Sequence, residues 1–205
     1  MGTSTILDIL SSLVVFGFLL LIAMGINDAA TENTYVYAGD LLVQENLVEV
    51  VGLLEYDLRK IGYCSDPIVL PDPSKAILKA DQHGITFQTD VMTTTSPQGD
   101  GVLDTMNYYI GSVDELANTP NPRDRFLYRV INGEVPREAN LGVVQFDLKY
   151  YNVQGDSIST PVAVPGEIST MEITIAVENP AAYADEYSTA VWKQLRLAAR
   201  NLRNR

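Results

Sequence analysis

Hydrophobic and polar positions follow three successive regimes along the chain. From Ile9 to Asn27 no charged residue occurs, and Leu13, Val14, Phe16, Phe18, Leu20 and Ile22 put apolar side chains around the whole circumference of a helix. Such a nineteen-residue run, at ~1.5 Å per residue, matches the ~30 Å hydrocarbon core of a bilayer. A core helix of this kind would need protein on every side, so the pattern predicts an apolar rod set in lipid or in a lipid-like surround. Thr5 and Asp8 stand at capping-box spacing, which predicts the helix N-terminus there.

Beyond "NDAATEN" the pattern narrows to a stripe. Val43, Leu47, Val50, Leu54, Leu58 and Ile61 recur every three or four residues, one face of an α-helix, while Glu45, Glu49, Glu55 and Lys60 fall off it. Gly62 suits a helix end that needs positive φ, and Pro67 blocks continuation. The expected organisation is therefore an anchor helix over 1–31, an amphipathic stalk helix over 32–62, and a domain over 63–205. The "NDAATEN" turn and Gly39 leave a break or bend between the helical halves open.

After Pro67 the period falls to two. "HGITFQTD" alternates Ile85 and Phe87 with polar residues, "GVVQFDLKYYN" alternates Val144, Phe146, Leu148 and Tyr150, and "STMEITIAVEN" lines up Met171, Ile173, Ile175 and Val177. These are half-buried strands of an antiparallel sheet. Asn132-Gly133 predicts a type I′ hairpin turn, with Pro136 limiting the second strand. The sheet needs a cover for its apolar face, and the stalk carries the complementary stripe. The fold class is α+β, a long N-terminal helix packed on an antiparallel sheet. The last segment, "DEYSTAVWKQLRLAARNLRNR", fits a strand or a short helix. Its Lys193, Arg196, Arg200, Arg203 and Arg205 favour a helix, whose C-terminal dipole attracts cations.

Charge narrows the function. With 26 acidic against 14 basic residues in 205, the net charge of -12 argues against a nucleic-acid partner. No Lys or Arg precedes Arg59, so the opening segment lacks the basic region of a cleaved secretory signal, and flanking charge cannot orient the helix. The bulk of the following domain places the C-terminus outside the cytoplasm. The single cysteine, Cys64, excludes an internal disulfide and reads as a small buried hydrophobe.

Little in the sequence carries chemistry. The lone histidine, His83, precedes a Gly in a turn and reads as a surface residue. No phosphate loop or His-x-x-x-His pair occurs, and nothing brings two particular carboxylates together. The expectation is a protein that is not an enzyme and needs no cofactor. Calcium is the one ion left open: Asp100 and Asp104 in "SPQGDGVLDTMN" resemble the later part of an oxygen-rich loop, although Ser96 and Gln98 stand where earlier ligands would be. A plain turn is the favoured reading.

The stretch "LLEYDLRKIGYCSDP", with Leu54, Asp57, Arg59, Gly62 and Tyr63, resembles the stalk end of PilW-type minor pilins and J-type pseudopilins of the type IV pilin-like superfamily. "ILKADQHGITFQTDV", "GDGVLDTMNYYIG", "FLYRVINGE", "LGVVQFDLKYYNVQGD" and "ARNLR" follow in an order similar to those proteins. The resemblance implies a structural subunit of a pilus or secretion filament, in protein secretion or cell adhesion. Its partners would be other pilin-like subunits and the assembly platform. It would sit in the inner membrane as a single-pass protein with its C-terminal domain outside the cytoplasm, or in an extracellular filament. The apolar helix would leave lipid for a helix bundle, in which it is again surrounded by apolar atoms. Processing in that family reads a basic leader, then Gly, Phe and a Glu at the fifth mature position. Here Gly2 is followed by Thr3, and Asp8 would be sixth after a cut. A membrane-anchored binding domain that does not polymerise is the alternative.

Overall fold

The computed structural model describes residues 2–179 and 187–197. One α-helix, α1, runs unbroken from Gly2 to Leu58. It starts three residues before Thr5, so Thr5 lies inside the helix and not at its N-cap. Extending an existing helix adds a hydrogen bond for each residue fixed, which favours such growth. "NDAATEN" does not interrupt it, nor does Gly39. Beyond Leu58 one turn carries Ile61 into the core, and Gly62, at φ 73°, reverses the chain. Its N–H donates to the Gln88 carbonyl at 2.9 Å, while Tyr63 N–H donates back to Lys60 O at 2.8 Å.

The rest is one eight-stranded antiparallel sheet. Its strands are β1 (Ile77–Asp81), β2 (Gly84–Thr89), β3 (Asp104–Ile110), β4 (Arg125–Ile131), β5 (Arg137–Tyr151), β6 (Ser157–Ile158), β7 (Thr170–Glu178) and β8 (Thr189–Leu197). The order is β1-β2-β3-β4-β5-β7-β8, with β6 beside β5. Asn132 (φ 52°) and Gly133 (φ 70°) make the β4–β5 turn with both central residues at positive φ, and β5 begins directly after Pro136.

The predicted inward positions are buried with one exception, and Glu172, Ala176 and Glu178 on the outward face of β7 are buried as well. Ile85, Phe87, Phe146, Leu148, Tyr150, Met171, Ile173, Ile175 and Val177 are all buried against the α1 side of the sheet. Val144, expected inside with them, is only half buried, and Val143 takes the core position. The pairing of β5 with β7 shifts by one residue between Val143 and Gln145, and a bulge there inverts the alternation. Gly142 precedes it at φ 70°, where a Cβ would run into the Glu178 carbonyl. The bulge bends β5. Its first half pairs with β4, and its second half meets the β1–β2 turn, where Leu148 N–H donates to Gln82 O at 2.8 Å.

The C-terminal segment corrects the helical expectation. Residues 189–197 form strand β8, paired along β7. Ala190 and Trp192 pack on the core while Val191 and Lys193 face out. That two-residue alternation, and a free β7 edge to pair with, outweigh the dipole preference of the basic residues. Arg200, Arg203, Arg205 and the "ARNLR" stretch lie outside the described residues.

Candidate functional site: the exposed rod and its seat

The two halves of α1 have opposite surroundings. Leu13, Val14, Phe16, Phe18, Leu20 and Ile22 are 46–68% exposed, and none of the most apolar window of the helix is buried. By length and composition this is a candidate membrane anchor. Gly2 and Thr3 open the helix and Asp8 is exposed on it. The boundary drawn at 31/32 falls inside the continuous helix; packing begins at Gly39. A Cβ at Gly39 would collide with the Asn179 side chain at the end of β7. Its lack of a side chain therefore serves close contact and not a bend.

From there the stripe seats the helix. Val43, Val50, Leu54, Leu58 and Ile61 are at most 3% exposed, and Leu47 packs partly against them. Each full burial of such a side chain contributes about 1.5–3 kcal/mol. Asp57, 2% exposed, adds a polar lock between helix and sheet. Its carboxylate accepts from Arg129 Nε at 2.7 Å and from the Tyr108 hydroxyl, which also accepts from Arg129 Nε at 3.0 Å. Burial first, and the Asp57 charge next, push the Tyr108 phenol pKa well up. Burial alone would lower that of Arg129, but Asp57 outweighs it and raises it. The Leu54 and Asp57 of the quoted stretch thus hold the helix on the sheet, whereas Arg59 is exposed and pairs with Glu55 at 3.6 Å.

Below the helix end, Asp90 organises the loops. Fully buried, it accepts from Ser65 N–H (3.1 Å), Ser65 Oγ (2.7 Å), Asp100 N–H (3.0 Å) and Gly101 N–H (3.0 Å). Burial would raise its pKa, but these hydrogen bonds win and hold it below the ordinary carboxylate range. Cys64, half buried, lies beside it, with Sγ 3.7 Å from Gly101 O. Nothing in the local sequence singles Asp90 out. Its partners lie 10 to 25 residues away in sequence.

Asp100 and Asp104 point to different work. Asp100 accepts from the Val102 N–H at 2.9 Å. Asp104 accepts from the Val91 N–H (2.9 Å) and from Asn132 Nδ2 (2.6 Å), tying the β3 start to the hairpin turn. Asp100 closes a local turn, Asp104 joins separate segments, and the two share no partner. Among the described residues no three His, Cys, Asp or Glu side chains converge. His83, exposed in the β1–β2 turn, has Nδ1 3.0 Å from Asp147 Oδ1 and 3.1 Å from Phe146 O.

A last corner lies where the 117–124 loop meets the end of β7. Glu178, 6% exposed, accepts from Asn121 Nδ2 at 3.0 Å and pairs with Arg123 at 2.9 Å. Tyr187 OH donates to Pro120 O at 3.1 Å and closes the corner. Among the described residues, Asp124, 1% exposed, finds no partner within hydrogen-bond distance of either carboxylate oxygen. Burial chiefly pushes its pKa up; the nearby Thr119 hydroxyl opposes this and the Glu178 charge adds to it.

No family model, curated protein or solved structure matches the chain. What fold and site define is an α+β protein in which one apolar helix, a candidate membrane anchor, rises from an eight-stranded antiparallel sheet.

Proposed function

We propose that the chain is a pilin-like structural subunit, a minor pilin or pseudopilin of a type IV pilus or related secretion filament, that works through protein contacts and not through catalysis. The observation that supports this reading is the single continuous α1, exposed and apolar in its first half and seated on the sheet in its second. Such a rod can rest in lipid and later exchange lipid for neighbouring helices at little cost. The ordered resemblance from Leu54 through β5 supports it as well. In this reading the protein sits in the inner membrane with its sheet domain outside the cytoplasm.

Shearing filaments from native cells and probing them for the subunit tests the proposal. Recovery in the filament fraction is expected, and mass spectrometry of the native N-terminus reports whether the chain is cut after Gly2 or keeps Met1. A strictly membrane-bound monomer with an uncut N-terminus would sink it in favour of the anchored, non-polymerising binding domain.

A further inference from the structure

On the face of the sheet turned away from the core, one row of residues leaves a gap. Asp81, Gly84, Tyr109 and Tyr128 stand directly opposite one another on β1, β2, β3 and β4. Residues paired in this way point to the same side of a sheet, and their chain neighbours Ala80, Ile85, Tyr108 and Leu127 are buried on the other side. The Tyr109 and Tyr128 rings stack with 4.8 Å between centroids and 21° between planes. That separation is close to the ~4.8 Å spacing of neighbouring strands, so each ring stands upright over its own strand. Tyr128 is a fixed backstop: its hydroxyl donates to Glu115 at 3.1 Å, and Phe126 packs against its ring at 5.9 Å. On the other side, Gly84 puts no side chain beside Tyr109. A Cβ there would come 2.9 Å from Tyr108 O and 3.1 Å from Tyr109 Cβ, so the position takes nothing larger without displacing β3. The second face of the Tyr109 ring therefore looks into an open slot. The next side chain in the row is that of Asp81, two strand spacings or about 10 Å away.

The slot belongs to a cleft of about 390 Å³ whose walls include Lys79, Asp81, Thr86, Asn107 and Tyr109. The Lys79 ammonium holds the Asp81 carboxylate at 2.6 Å, and the Thr86 hydroxyl donates to Asn107 Oδ1 at 3.1 Å. The two charges cancel. Donors remain on the Asn107 amide nitrogen and the Lys79 ammonium, and an acceptor on the second Asp81 oxygen. We propose that this cleft binds a pyranose sugar, stacked by its C–H face on Tyr109. An aromatic ring is electron-rich on its face, which attracts the polarised C–H groups on one side of a pyranose. Hydroxyls round the edge of the sugar, both donors and acceptors, meet the mixed polar rim. A flat aromatic ligand would satisfy the ring and leave that rim unpaired. A simple anion or cation would find the Lys79 and Asp81 charges already matched. The site does not depend on filament assembly, since the cleft lies on the sheet and not on the rod.

The test uses the full chain in micelles of a detergent without a sugar headgroup. It is titrated with methyl β-D-glucopyranoside and methyl β-D-galactopyranoside and read by calorimetry and saturation-transfer NMR. Saturable binding is expected, with magnetisation reaching the C–H protons on one face of the sugar. Tyr109→Ala should weaken it about three- to tenfold, whereas Tyr109→Phe, which keeps the ring, should bind like the unaltered chain. Asn107→Leu should also weaken it, and serves as the second variant if Tyr109→Ala does not fold. Cellobiose and lactose distinguish the source: tighter binding than the monosaccharides supports a glycan chain, equal binding a free sugar. Absence of saturable binding for all of these sugars overturns the proposal. Full binding in a folded Tyr109→Ala also overturns it, by placing the sugar elsewhere. Binding of benzyl alcohol in preference to every sugar overturns it in favour of a seat for an aromatic side chain.

Discussion

Residues 5–38 and 39–58 belong to one continuous helix, yet the more apolar part is exposed on every side and the more polar part buries one face. Hydrophobic content alone does not decide burial; its arrangement does. A stripe of one residue per turn can be covered by one sheet face. An apolar circumference cannot, and none of the described residues surrounds Leu13, Phe16 or Leu20. The first half depends on an environment supplied from outside, the second on the sheet.

That contrast can be broken from either side. The largest effect is expected from Val14→Asp combined with Leu20→Arg. Each charge at mid-membrane depth costs about 2.5–3.5 kcal/mol on insertion, so the pair should move the protein from the membrane fraction to the soluble fraction. The Tm of the sheet domain should stay unchanged, since neither side chain touches it. A parallel drop in Tm would mean that the halves are not independent.

The second half should behave in the opposite way. Asp57→Ala leaves Arg129 and Tyr108 facing an empty polar seat and should cost about 3–5 kcal/mol. Leu54→Ala, which opens a cavity under the helix, should cost about 2–5 kcal/mol. Urea unfolding followed through Trp192 measures both, and membrane partition should be unaffected.

The smallest expected effect separates the seat from the loops beneath it. Asp90 has its pKa lowered in the fold, so its contribution is fully present above the unfolded value of ~3.9 and is lost as pH falls through the lower, folded value. Asp90→Asn should therefore lower Tm at pH 6. The gap to the unaltered chain should shrink on acidification below pH ~4. Equal Tm profiles for the two proteins would show that the loop hydrogen bonds add nothing.

Much of this architecture was legible in the residues themselves. The stripe from Val43 to Ile61, the positive φ of Gly62, the Asn132-Gly133 turn and the inward faces of β2 and β7 follow from periodicity and turn chemistry, which are local properties. The absence of a helix break also has a local basis, since Asp28 to Asn33 contains neither Gly nor Pro. The misplaced face of Val144 has a different origin. Strict alternation assumes an unbroken ladder, and it is broken by a bulge beside Gly142, whose missing Cβ leaves room for the Glu178 carbonyl on another strand.

The sequence alone determined that an uncharged rod is followed by an amphipathic helix and alternating strands, because those periods are written in consecutive residues. Only the tertiary structure decided that residues 189–197 become an edge strand, that Asp57 meets Tyr108 and Arg129, and that Asp90 gathers donors from Ser65, Asp100 and Gly101. The physical reason is separation along the chain. Hydrogen bonds and charges between residues tens of positions apart leave no mark on local pattern, and they exist only once the sheet has curled and the helix has docked.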